Sequence, residues 1–315
     1  MRADSTREIF IGTSYRITTI LASLLCISIF LPARVNAGFS LGDAANYAVL
    51  YEGAGSHNLQ INSSPVNGST ILGNVGVGTL SNGTPQAQLN NPAVINGNIN
   101  FAGAVNISGN AVVHGTTNAN VASVNSDLIY LNSLSSTLGA ESGTALAISI
   151  ANNATQTVNA SSGILDGSGN RVFTISSMSF VNGATLVLNG TASDFMVLNF
   201  SFNTHFSGKI QLAGGITPDQ VLFNITGGMN LTAGDTLQFA ANNVPQAGTF
   251  LDPNGTITMN SVNLTGHLFG GDSSDMQIVS GGTIVVPEPS TYTLVLTALG
   301  MLGVAACRRA TVKQV

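Results

Sequence analysis

Ala192-Ser193-Asp194-Phe195-Met196-Val197-Leu198-Asn199-Phe200-Ser201 is echoed 25 positions later by Thr217-Pro218-Asp219-Gln220-Val221-Leu222-Phe223-Asn224-Ile225-Thr226. Each copy has two small residues and an aspartate, then an apolar strand with one asparagine at its centre. A second echo runs alongside, with Thr185-Leu186-Val187-Leu188-Asn189-Gly190 recurring 24 positions on as Lys209-Ile210-Gln211-Leu212-Ala213-Gly214. Two offset strands sharing one period describe successive faces of one coil. A repeat of this length with several short strands and no helical heptad is what a parallel β-solenoid requires, because a lone coil cannot bury its inward side chains and must stack on a neighbour. A β-sandwich with look-alike hairpins is the competing arrangement.

Working outward, Val94-Ile95-Asn96-Gly97-Asn98-Ile99 and Val105-Asn106-Ile107-Ser108-Gly109-Asn110-Ala111-Val112-Val113 alternate apolar with small polar residues and carry Asn-Gly and Gly-Asn at the bends. One segment departs from this pattern. From Ser126 to Leu138, Leu128, Leu131, Leu134 and Leu138 make one apolar stripe at helical spacing, with Ser126 as N-cap and Gly139 as stop. This predicts a helix lying along the flank of the solenoid.

Charge narrows the function. Arg171 and Lys209 are the only basic residues between 38 and 286, against eleven acidic ones, for a net charge of −9. Binding to nucleic acid through phosphate contacts needs several Lys or Arg on one face, so it is excluded, as is an anionic membrane surface. Charges of either sign are scarce, and solubility rests on Asn, Ser, Thr and Gly. Both cysteines, Cys26 and Cys307, lie in apolar terminal stretches, so residues 38–286 fold without disulfides.

The ends read as addresses. Arg2, Arg7 and Arg16 precede an apolar stretch from Ile17 to Leu31 that closes on Val35-Asn36-Ala37, which predicts a signal peptide over 1–37, cleavage specified by Val35 and Ala37, and a mature start at Gly38. At the other end, Pro287-Glu288-Pro289 precedes an uncharged apolar run from Ser290 to Cys307 and then Arg308-Arg309. Eighteen residues rise about 27 Å as a helix, close to a hydrocarbon core of about 30 Å. A transmembrane helix is therefore expected over 290–307, with Arg308 and Arg309 as the cytoplasmic stop.

This order of Pro-Glu-Pro, one apolar helix and an Arg cluster resembles the PEP-CTERM sorting signal of bacterial surface proteins, which places a sorting signal over 285–315. The resemblance implies recognition of Pro287, Glu288 and Pro289 by an exosortase-like membrane protease after export by the secretion machinery. The body over 38–284 also has family likenesses. Leu41-Gly42-Asp43-Ala44-Ala45-Asn46-Tyr47-Ala48-Val49-Leu50 and Ile71-Leu72-Gly73-Asn74-Val75-Gly76-Val77-Gly78 resemble the opening of bacterial ice-binding-like adhesion domains. The flank helix and the stretches Gly248–Gly255 and Gly266–Asp272 resemble the choice-of-anchor A family. Those likenesses imply an all-β fold, a right-handed parallel β-solenoid with one flanking α-helix.

The remaining residues offer few groups suited to catalysis or metal binding. His57, His114, His205 and His267 fall at no metal-ligand spacing, and no Gly-x-Ser-x-Gly elbow is present. No cofactor or metal is expected. Lyase chemistry would have only Arg171 and Lys209 to stabilise a carbanion. Asp194 and Asp219 hold equivalent repeat positions and could stack about 4.8 Å apart, which leaves a glycosidase pair open, although capping of turns suits their place before each strand. Asp166–Asn170 and Gly270–Asp275 look like calcium loops but lack a terminal bidentate Glu.

The expected function is that of an exported, non-enzymatic cell-surface or extracellular-matrix protein of a Gram-negative-type bacterium, associating with exopolysaccharide in adhesion or biofilm. It would be anchored in the membrane through its C-terminus before processing. Two alternatives stand beside it: a carbohydrate-active enzyme on a β-solenoid, and an ice-binding protein. Ice binding asks for ranks of Thr on a flat face, and no such rank is visible at the 24–25 residue period.

Overall fold

Short strands such as Leu59–Asn62, Thr185–Asn189, Thr256–Asn260 and Met276–Val279 alternate buried and half-buried residues, the signature of a sheet with one face on a core and one in water. A computed structural model describes residues 38–286 except 54–56, 63–67, 81–83, 91, 227–235, 240–243, 254 and 272–274. Both sequence echoes are strand registers. Met196 to Phe200 pair in parallel with Val221 to Ile225, and Thr185 to Asn189 with Lys209 to Ala213. The offsets of 25 and 24 are thus successive coils seen on two faces of one parallel solenoid.

Three faces run along the stack. The first carries, in spatial order, strands Thr117–Asn118, Ile99–Phe101, Asn74–Val77, Tyr47–Tyr51, Val262–Gly270, Val244–Asp252, Val221–Ile225, Phe195–Phe200, Asn170–Phe180 and Thr144–Ile150. The second is a seven-stranded ladder from Thr204–Phe206 through Thr236–Phe239, Thr256–Asn260, Met276–Val279, Leu59–Asn62 and Ala87–Leu89 to Ile107–Gly109. The third contains Val112–Val113, Val94–Asn96, Thr70–Leu72 and Thr283–Val285, then the leading halves of Val262–Gly270 and Val244–Asp252. A three-stranded ladder of Lys209–Ala213, Thr185–Asn189 and Thr155–Asn159 adjoins it where Gln246 Nε2 donates to the Gly208 carbonyl.

Spatial order differs from sequence order. Strand 47–51 lies in the middle of the stack, paired with 74–77 on one side and 262–270 on the other. From there the chain climbs to one end at 117–118 and returns along the flank as a helix. It re-enters at the opposite end with 144–150 and climbs back until Thr283 meets Thr70. The long strands bend from the third face to the first at paired glycines. Gly248 and Gly266 lie opposite each other with φ +132° and +139°, and a Cβ on Gly266 would fall 2.0 Å from the Gly248 carbonyl oxygen. Only glycine turns this corner without breaking the ladder.

Inside, one rank of side chains crosses the eight inner strands of the first face: Phe173, Leu198, Phe223, Phe250, Leu268, Val49, Val75 and Ile99 are in register and buried. Phe223 and Phe250 stack with centroids 4.4 Å apart and planes at 4°, and Phe206 meets both edge-on.

The flanking helix, α1, spans Ala122–Gly139. It begins four residues before the expected Ser126, which lies inside it. The start is set by tertiary contacts instead: Asn120 takes a positive φ, and the Val121 N–H donates to the Phe101 carbonyl. Gly139 ends α1 as expected, where a Cβ would press on Thr226. Val124, Leu128, Leu131 and Leu138 bury against Leu50, Val197, Leu222, Leu251 and Phe269 of the first face, while Leu134 is half-buried. Hydrogen bonds fix the C-terminal half. Asn199 Nδ2 donates to the Leu138 carbonyl at 2.8 Å, and Asn224 Nδ2 donates to the Ser135 carbonyl at 3.0 Å and to Asn199 Oδ1 at 2.8 Å. The Ser135 hydroxyl donates back to Asn224 Oδ1. The central asparagines of the sequence echo are the helix's docking points.

The fold expectation needs one correction. Among the described residues no helix is long and apolar enough to cross a membrane. At 18 residues α1 has the length, but it presents Asn, Ser and Asp along with its leucine stripe and is spent covering the solenoid. The transmembrane helix expected over 290–307 falls outside the described residues and is withdrawn. With it go the cytoplasmic stop at Arg308 and Arg309, the membrane as a partner and the anchored localisation.

Two outcomes are expected. Asn224→Ala would leave Ser135 and Asn199 without buried partners and should cost about 2–4 kcal/mol in chemical denaturation; an unchanged midpoint would remove the asparagines as docking points. Asp127 on α1 is 8% exposed, and burial, with Asp43 nearby, raises its pKa above the usual carboxylate value. The folded state therefore holds the proton more tightly than the unfolded chain, and the stabilisation present below that ordinary value is lost as pH rises through the raised one. Asp127→Asn should raise Tm at pH 7 and leave it unchanged near pH 3.

Candidate functional site

Several of the aspartates are occupied in holding turns. Asp194 accepts from the Thr191 N–H at 2.8 Å and the Thr191 hydroxyl at 2.7 Å, which hold its carboxyl below the usual range, with Arg171 at 3.9 Å adding to the effect. Asp219 instead faces His267 Nε2 at 3.3 Å. The two aspartates share a repeat position but point to different partners and make no carboxylate pair. His267 is buried, with Nδ1 donating to the Tyr47 carbonyl at 2.6 Å, so both ring nitrogens are taken and neither is left to activate a nucleophile.

The proposed calcium loops are also accounted for in part. Asp166 accepts from the N–H groups of Ser168 and Asn170 and from Asn170 Nδ2, using both its oxygens on its own turn. Of Gly270–Asp275, residues 272–274 lie outside the described residues. Asp275 accepts from the Asn58 N–H at 2.6 Å and from Gln60 Nε2, and lies 3.5 Å from His57 Nδ1. It ties a late coil to an early one. Among the described residues no group of three His, Cys, Asp or Glu could hold a metal ion. His114 and His205 are exposed.

What the fold presents instead is surface. On the third face the outward positions form two in-register ranks, one across six strands and one across five. One reads Pro245, Asn263, Thr283, Thr70, Val94 and Val112; the other reads Ala247, Thr265, Val285, Leu72 and Asn96. The adjoining ladder continues with Thr155, Thr185 and Lys209 and with Thr157, Val187 and Gln211. Lys209 is the only charged residue among these positions. Hydroxyls and methyls therefore repeat at the strand spacing of about 4.8 Å in one direction and about 6.7 Å, two residues along a strand, in the other.

Sequence reading missed this face because its threonines lie far apart in the chain. Thr283 pairs with Thr70 across 213 positions, and Thr155 with Thr185 across 30, so neither pair shows at the 24–25 residue period. The second face carries a different rank, with Thr258, Gln277, Gln60, Gln88 and Ser108 in register and outward. It is a ladder of amides and hydroxyls. The first face is covered over its middle strands by α1.

The fold is shared with known structures. An ice-binding protein from an Antarctic Biological Consortium superposes with a TM-score of 0.52 at 16% identity, over 82% of this chain and 95% of that one. The body has the fold of ice-binding proteins. An ice-binding protein from an Antarctic bacterium, Flavobacteriaceae, matches with a TM-score of 0.51 at 18% identity, over 81% of this chain and 48% of that one. At such identity the likeness is one of fold, and the ice-binding-like resemblance is borne out at that level. Curated proteins gave no match. Residues 285–309 match the PEP-CTERM protein-sorting motif, which bears out the second resemblance. Pro287, Glu288, Pro289, Arg308 and Arg309, like Val35 and Ala37, lie outside the described residues.

Proposed function

We propose that this protein is an exported, non-enzymatic ice-binding protein and that its third face is the ice-binding surface. The observation that carries this reading is the pair of nearly uncharged outward ranks, in which Thr283 and Thr70 sit side by side and Thr265 is followed by Val285 and Leu72. A surface that orders water into a lattice needs three properties: flatness, a regular repeat, and hydroxyls mixed with methyls so that water is held without being pulled into charged hydration shells. Parallel strands in unbroken register supply the first two. Thr and Val supply the third. The fold shared with ice-binding proteins supports the reading.

A second reading, association with exopolysaccharide at the cell surface or in the matrix, draws on the second face. Thr258, Gln277, Gln60, Gln88 and Ser108 offer an uncharged row of donors and acceptors to a neutral glycan. Many weak hydrogen bonds in register suit adhesion better than turnover. Under either reading, the sorting motif supports processing by an exosortase-like protease at Pro287-Glu288-Pro289.

Purified protein should show thermal hysteresis and inhibit ice recrystallisation, and Thr70→Tyr with Thr283→Tyr should remove most of that activity at unchanged Tm. Absence of both activities in the parent protein would refute ice binding. Replacing Pro287, Glu288 and Pro289 by alanine should leave the unprocessed chain accumulating in cells, read as a larger species on a blot; normal processing would sink the role given to them.

A further inference from the structure

The sorting motif and the folded body overlap. Residues 285–309 match the motif, yet Val285 lies in the third-face ladder, paired with Thr265 on one side and Leu72 on the other. Strand Thr283–Val285 is held along its whole length. The Thr70 N–H donates to the Gly282 carbonyl at 2.8 Å, Ile284 is fully buried, and the Val286 N–H donates to the Leu72 carbonyl at 3.2 Å. A protease that takes its substrate as an extended chain reaches such bonds only when the strand opens.

Val286 also stands where the chain can go no further along its coil. In the neighbouring coils the corner from the third face to the first is made by glycine, at Gly248, Gly266, Gly73, Gly97 and Gly115. A Cβ on Gly97 would strike the Gly73 carbonyl, and one on Gly115 the Gly97 carbonyl. The pairing of Val285 with Leu72 puts Val286 beside Gly73 in this column, where it alone of the six residues has a side chain. A Cβ on Gly73 would fall 2.9 Å from Val286 Cγ2 and 2.9 Å from the Ala48 Cβ, so the end of the body meets its start at this corner. The first-face position beyond Val286 is filled by Tyr47, paired with Asn74. Pro287, next in sequence, has no N–H to lend to a ladder.

We propose that the closed seam sets the upstream limit of processing: the fold withholds every peptide bond through Val285–Val286, and the protease cuts on the C-terminal side of Val286. This rests on the reading of Pro287-Glu288-Pro289 as a processed sorting signal, and adds that the boundary belongs to the folded body rather than to the protease. Cleavage breaks one C–N bond, with water supplying the hydroxyl of the new carboxyl on the body and the hydrogen of the new amine on the released tail. A cut a few residues earlier would take out the strand that joins Asn263–Thr265 to Thr70–Leu72. Those neighbours would then stand about 9.6 Å apart, two strand spacings, with the place of Ile284 empty in the core. A cut beyond Val286 leaves the solenoid whole.

Brief digestion of the purified full chain with subtilisin, a protease of broad specificity, in mild detergent tests where this boundary lies. After quenching and denaturation, a second digestion before aspartate releases the peptide that starts at Asp275, and its mass gives the C-terminus. The folded parent should end at or beyond Val286. In unfolding urea, or in Ile284→Asp, cuts between Gly281 and Val286 should appear at least roughly tenfold faster. An end between Gly281 and Val285 in the folded parent, or equal cutting there in folded and unfolded chain, would overturn the inference. Processed chain recovered from cells that sort the protein should also end at or beyond Val286, and an earlier end would overturn it too. Absence of any processed chain would count against the sorting reading alone, since subtilisin decides the boundary without the sorting protease.

Discussion

The structure depends on one closure, the pairing of Tyr47–Tyr51 with Val262–Gly270. A solenoid coil has no core of its own and buries its inward side chains only against neighbours. Here the neighbours of the middle coil come from opposite ends of the body. Without that seam, Val49 and Leu268 would each end a stack and face water, and the continuous inward rank from Phe173 to Ile99 would be cut in two. Asp275 reinforces the same junction from the second face by accepting from Asn58 and Gln60.

The helix follows from the seam. A chain that starts in the middle and climbs to one end must return to the other before it can climb back, and α1 is that return. Its apolar stripe covers the first face, and its orientation is fixed by buried amides. Asn199 and Asn224 sit where an apolar residue would bury area at lower risk, because an unmet amide there is costly. Their reward is specificity of docking: only one axial and rotational setting of α1 lets the Ser135 and Leu138 carbonyls receive both. The helix in turn hides one wall of the solenoid and leaves two for contact with the surroundings.

How much of this was legible in the sequence depended on whether partners were close in the chain. The 185–189 and 209–213 pair and the 195–200 and 221–225 pair are consecutive coils, so period, face and register could be read directly. The leucine stripe of α1 and its glycine stop were local signals as well. Its true start was not, since Val121 is held by Phe101 rather than by a capping side chain. The threonine ranks were hidden for the same reason as the seam: Thr70 and Thr283 become neighbours only once the two halves meet. Asp194 and Asp219 illustrate the converse. Equivalent in the repeat, they diverge because Thr191 and Arg171 flank one and His267 the other.

The seam also sets an order of events for a protein that carries a sorting motif after its body. Strand 47–51 emerges early in synthesis, yet the coil that completes its far side emerges more than two hundred residues later. Pairing so distant in sequence is slow to form, and here it cannot begin until nearly the whole body is available. The early half therefore stays an unsealed stack, with Val49 and its neighbours uncovered, until the last coil arrives. Completion of the fold is tied by connectivity alone to completion of the chain.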